Sequence, residues 1–92
     1  MSIYTRMGTP ATIVSAEADS DGILWVIANV HFEDGDAERE YAINEFRATG
    51  GMREIFTDIN RVEAGNPAVD AFAFSDEKGW YRIEDRHDQP NR

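Results

Sequence analysis

Cysteine is absent from the 92 residues, which removes disulfide staples and thiolate metal ligation from consideration. Long apolar runs are missing too. The longest, Ile23 to Val30, is interrupted by Asn29 and falls far short of the roughly 20 residues that cross a bilayer, so no membrane contact is expected. Positive charge is scarce: nine Lys and Arg face eighteen Asp and Glu, a net charge of −9. Phosphate recognition needs a basic footprint, so direct binding to free DNA or RNA is disfavoured, and the natural complement of this chain is a basic surface. The opening MSIYTRMGTPAT carries no apolar run of signal-peptide length, and the expected compartment is the cytoplasm.

What is present is enough for a folded core. Apolar residues make up 41% of the chain, too many for a disordered acidic tail, and the length suits one domain. The expected organisation is a single domain over residues 1–84 followed by a flexible polar tail, 85–92.

Structure is expected to begin near Ala11, after the lead-in Gly8-Thr9-Pro10. ATIVSAEA (11–18) is β-branched at its start, and Asp19-Ser20-Asp21-Gly22 is a turn cluster ending in a residue that accepts positive φ. The next run, ILWVIANVHF, is apolar on both alternating sets, Ile23, Trp25, Ile27 and Leu24, Val26, Ala28, Val30, Phe32, and reads as the central, most buried strand. Glu33-Asp34-Gly35-Asp36 supplies a second turn. Beyond it Arg39, Tyr41 and Ile43 alternate with Glu38, Glu40 and Ala42, the pattern of a half-exposed strand. Residues 44–49 form a connector with room for one helical turn and with Phe46 inward.

After Gly50-Gly51 the period changes. Met52, Ile55, Phe56, Ile59 and Val62 fall on one helical face, with Arg53, Glu54, Asp58, Asn60, Arg61 and Glu63 opposite, and Gly65-Asn66-Pro67 stops the helix. VDAFAFS and WYRIE, joined by Asp76-Glu77-Lys78-Gly79, read as a C-terminal hairpin that extends or closes the sheet. The predicted fold is therefore α+β: an antiparallel sheet of about five strands in the order β-β-β-α-β-β with one amphipathic helix packed on it. A small, partly closed barrel is the alternative.

Few residues suggest chemistry. Glu17-Ala-Asp19-Ser-Asp21-Gly22 has the acid spacing that starts a calcium loop, but the position six residues after Gly22 is Ala28 where the bidentate Glu belongs, and the flanks are strands. His31 and Glu33 offer two ligands on one strand, short of the three a catalytic zinc wants, and His87 stands apart on the tail. Gly50-Gly51 lacks the Gly-Lys-Ser/Thr of a phosphate loop, and no G-x-S-x-G element is present. No catalytic residue, metal or cofactor is expected, and the chain reads as a binding protein and not an enzyme.

Charge distribution stands out more. Between Glu17 and Glu40 lie eight acids, Glu17, Asp19, Asp21, Glu33, Asp34, Asp36, Glu38 and Glu40, against the single base Arg39, a local net charge of −7. Solvated hairpin turns are one explanation. An acidic surface that engages a basic channel is the other, and Asp19, Asp21, Glu33, Asp34, Asp36, Glu38 and Glu40 are its candidate partner-binding residues. Trp25, Tyr41, Trp80 and Tyr81 are mostly core by composition. Trp80 and Tyr81 point to opposite faces of their strand, which leaves one of them free to serve as an interface aromatic, and both join the candidate set. Arg47, Arg53 and Arg61 make the only basic locality.

By this overall profile of size, local acidity, a single helix on a small sheet and no catalytic residues, the chain resembles the small acidic anti-defence proteins carried by phages and plasmids, the anti-CRISPR proteins of type I systems in particular. The resemblance implies a stoichiometric inhibitor working in the host cytoplasm. It would dock on a CRISPR surveillance complex and occlude the Lys- and Arg-rich surfaces meant for target DNA. An accessory protein-protein interaction module, homodimeric or not, is the alternative function.

Overall fold

The computed structural model describes residues 3–83; the expectations for His87 and for a tail at 85–92 lie outside them. Within that range the chain runs β1 (Ile3–Thr5), β2 (Ala11–Ala18), β3 (Leu24–Phe32), β4 (Gly35–Ala42), a 3-10 turn (Ile43–Glu45), β5 (Phe46–Ala48), α1 (Met52–Val62), α2 (Pro67–Asp70), β6 (Phe72–Ser75) and β7 (Gly79–Arg82). The fold is α+β, with antiparallel strands and one main helix. The described strands close no barrel, so that alternative is set aside.

The expected meander is present as β2-β3-β4, with β3 in the middle. Its first turn has a specific reason for glycine. Gly22 holds φ at +81°, a backbone conformation that residues with a Cβ rarely adopt, and a Cβ there would also have to push aside the flexible end of the Arg82 side chain. Alternation along β3 divides its residues sharply. Leu24, Val26, Ala28 and Val30 are fully buried, whereas Trp25, Ile27, Asn29 and His31 are half-buried. The strand is central, but only one of its two apolar sets enters the core.

Helix α1 covers that buried set. Ile55, Phe56 and Ile59 enter the core beside Ile13, Ala16, Ile43, Phe46, Val69 and Phe72. Each fully buried aliphatic side chain of this kind stabilises the fold by about 1.5–3 kcal/mol. At the helix entry Glu54 Oε1 accepts the Gly50 N–H at 2.7 Å, a carboxylate reaching back over the first turn. Asp58 departs from expectation. It is 4% exposed and not on the solvated face, because it borders the apolar stripe one turn after Glu54 and turns inward, where Arg61 donates to its Oδ1 from both Nε and Nη2.

Three further elements were not expected. Structure begins before Ala11: β1 pairs with β5, aligning Ile3 with Ala48 and Thr5 with Phe46. Residues 44–49 are therefore the end of a 3-10 turn plus a strand, with Phe46 buried as expected. Pro67 to Asp70 is a helical turn, started by proline at its first position and by Asn66 Oδ1 accepting the Ala68 N–H at 3.0 Å, and it removes Val69 and Asp70 from the strand assigned to them. The C-terminal hairpin β6-β7 forms its own ladder and does not extend the meander. Its aromatic residues explain why: Phe74 packs 6.3 Å from Phe56 of α1, and Phe72 lies 5.4 Å from Trp80, so the hairpin is held by the helix.

Candidate functional site

Residues directly opposite one another in an antiparallel ladder share a face. On the face of the meander turned away from α1, Trp25 stands between Glu17 and Ala42, Ile27 between Ser15 and Glu40, and Asn29 between Thr12 and Glu38, while His31 stands beside Asp36. Asp36, Glu38 and Glu40 thus form one row along β4, and Glu17 answers them from β2. Their alternate residues Ala37, Arg39 and Tyr41 belong to the other face, where Arg39 lies 5.7 Å over the Phe32 ring and Tyr41 packs edge-on to Phe46.

Polar contacts tie the row to β3. Asp36 Oδ1 is 3.0 Å from His31 Nδ1, its Oδ2 accepts from Asn29 Nδ2 at 3.3 Å, and the opposite nitrogen of His31 lies 2.8 Å from Thr12 Oγ1. Glu38 and Glu40 are exposed, and apolar surface accompanies the acids. Val14, at the irregularity in register between Ile13 and Ser15, is 49% exposed, and Ile23 is 37% exposed.

The remaining candidate acids occupy the two turns. Asp19 works on its own turn: its Oδ1 accepts the N–H groups of Asp21 and Ile23, each at 2.9 Å, and its Oδ2 accepts the Trp25 indole N–H at 2.7 Å. The indole bond first, and the Ile23 N–H after it, hold the Asp19 carboxyl below its ordinary value. Asp21 is exposed beside it, and Glu33 and Asp34 are exposed at the far end of β3. The row on β4 is therefore flanked by acidic turns at both ends.

Trp80 and Tyr81 are not part of this face. Both are half-buried on β7: Trp80 packs into the core with Phe72, and Tyr81, on the opposite side of its strand, lies under Lys78 Nζ at 5.1 Å. The basic locality on the helix is engaged within the chain. Arg53 bonds Asp76 and stacks 5.4 Å over Phe74, and Arg61 holds Asp58.

Sequence reasoning missed the contribution of β3 to the site. The signal available was the polar end of one alternating set, Asn29 and His31, in phase with Trp25 and Ile27. It also missed Glu63, whose Oε2 accepts the Ala16 N–H at 3.2 Å and whose Oε1 accepts from Asn66 at 2.8 Å, because nothing local in the sequence links a helix end to a strand 47 positions away.

Two clefts, one lined by Thr5, Arg6, Met7, Tyr41 and Glu45 and the other by Ile3, Ala11, Thr12, Asp58 and Arg61, hold about 90 and 120 Å³. Small-molecule sites run to roughly 300–1,000 Å³. Among the described residues no group of three or more His, Asp or Glu could hold a metal ion, and no helix is long and apolar enough to cross a membrane. Compared with known proteins, the chain matches no family model, no curated protein and no solved structure.

Proposed function

We propose that this protein acts by binding and not by catalysis, as an inhibitor that lays the open acidic face of its meander on a basic, nucleic-acid-binding surface of a host-defence complex. The type I CRISPR surveillance complex is the target in this reading. The observation that carries it is the register of β4 on β3, which sets Asp36, Glu38 and Glu40 in one row on the face that α1 leaves open, beside Trp25 and Ile27. Carboxylates in a row, flanked by Asp21, Glu33 and Asp34 in the turns, offer negative charge to the Lys and Arg that line a DNA channel, while Asp19 stays engaged by its own turn. Half-buried Trp25 and Ile27 add apolar contact at the centre, the arrangement of a docking surface with an apolar middle and a charged surround.

The test is charge reversal. With Asp34, Asp36, Glu38 and Glu40 each changed to lysine, the protein is expected to lose inhibition of target-DNA binding by the surveillance complex while keeping its circular dichroism and melting temperature. Inhibition by the unmodified protein should weaken as salt shortens the Debye length below about 10 Å. Inhibition that survives the reversal contradicts the proposal.

A further inference from the structure

The two edges of the meander differ. On β2 the outward N–H of Ala16 is held by Glu63. On β4, the last strand of its ladder, no backbone group is paired to another strand beyond β3 among the described residues. An unpaired row of N–H and C=O groups is a template for another strand.

The direction of those groups follows from the bonds around them. Ala16 N–H points away from β3 to reach Glu63, and His31 N–H points toward the β2 side to reach the Pro10 carbonyl at 2.8 Å. In an antiparallel ladder bonding direction alternates residue by residue, so Val26, Ala28 and Val30 bond toward β4 and their partners Tyr41, Arg39 and Ala37 bond back. Asp36, Glu38 and Glu40 therefore direct their backbone groups outward. The Glu38 carbonyl agrees: the exposed Arg39 side chain donates to it from Nη1 at 3.1 Å, a contact an incoming strand displaces. The residues that carry the row of carboxylates are thus the same ones whose outward backbone donors and acceptors pair with no strand among the described residues.

From this coincidence we infer that the outer edge of β4 takes up an extended strand of a partner protein by β-augmentation, and that it selects a strand with Lys or Arg at alternate positions. Each base then lies opposite Asp36, Glu38 or Glu40 on the open face, and the intervening residues face Ala37, Arg39 and Tyr41. The inference rests on the proposed function and names the form in which a basic surface is met: a strand in backbone register, not a charged patch alone. Backbone bonds supply affinity and alternate side chains supply selection.

A second copy of this chain is a poor occupant of the same edge. A two-fold axis through a continued antiparallel ladder pairs residues of equal parity, because both strands keep the same face up. Asp36, Glu38 and Glu40 share one parity. A register centred on residue 38 sets Glu38 against its own copy and Asp36 against Glu40, and one centred on residue 39 sets Glu38 against Glu40. Like charges directly opposite destabilise the pairing.

The experiment uses the full chain and two synthetic peptides of identical composition, one alternating lysine with threonine and one with all its lysines in a single block. Amide hydrogen exchange is read residue by residue on titration. The alternating peptide is expected to protect the Asp36, Glu38 and Glu40 amides and to bind about tenfold more tightly than the block peptide, the size expected from a few cross-strand charge pairs. In the Asp36→Asn, Glu38→Gln, Glu40→Gln variant that preference should vanish. Equal binding of the two peptides with no protection of the three amides overturns the edge inference and leaves the acidic face standing. No binding of either peptide at low salt overturns both readings. Protection of the same amides in the free protein that grows with its own concentration also overturns the inference, in favour of a second copy.

Discussion

The two edges of the meander hold acids with opposite duties. At the β2 edge Glu63 is turned inward on a backbone donor, and the edge is further occupied by β1, through the bridge between Tyr4 and Pro10, and by α1. At the β4 edge Glu38 and Glu40 sit where no described element covers them, beside Asp36, whose carboxylate meets His31 and Asn29 of β3. Net charge alone does not separate these cases. A carboxylate that satisfies its own fold is unavailable to a partner, and one left on an open strand both blocks casual pairing and remains free to choose a partner.

That contrast can be broken most severely on the covered side. Ile55→Ala or Ile59→Ala removes a fully buried side chain and is expected to cost about 2–5 kcal/mol in urea unfolding. Ile27→Ala on the open face should cost about 1 kcal/mol, the ordinary size for a point substitution. Equal costs would mean that the open face is a second core. Glu63→Ala comes next: with the Ala16 N–H left without its acceptor, a loss of about 1–3 kcal/mol is expected, measured by urea unfolding and accompanied by faster exchange of the Ala16 amide.

A smaller effect is expected at Asp19. Its carboxyl titrates lower in the folded chain than unfolded, so it contributes stability above the ordinary carboxylate range and that contribution is lost as pH falls through the folded value. Melting temperatures of the native protein and Asp19→Asn should therefore differ at neutral pH and converge in acid. A difference that persists below the carboxylate range contradicts the assignment. The smallest effect on stability is expected on the open edge itself, where Glu38→Lys and Glu40→Lys should each stay within about 0.5 kcal/mol of the native protein in urea unfolding.

The meander and α1 were legible in the sequence because each writes its period over many residues: alternation from Ala11 to Ala42, and the stripe Met52, Ile55, Phe56, Ile59, Val62. Strands β1 and β5 were not, since three residues each carry no period and their pairing spans some forty positions. The turn at Pro67 was read as a stop when it is also a start, its Asn66 capping a new helical turn. Along β3 both alternating sets are apolar, so composition did not say which one α1 would cover. For the site, the acids were visible as a cluster. That Asp36, Glu38 and Glu40 share a face, while Asp19 is bound within its turn, depends on register and on side-chain bonds that only the fold supplies.

The most direct test compares two regions of one molecule against the surveillance complex. Binding is measured by titration calorimetry for the Asp36→Asn, Glu38→Gln, Glu40→Gln variant and for the Arg53→Ala variant. The account predicts that the first binds at least about tenfold more weakly than the native protein, the loss set by charge pairs across the docked surface, and that the second binds as the native protein does. Native-like binding by the first variant and loss by the second would contradict it and move the interface to the helix.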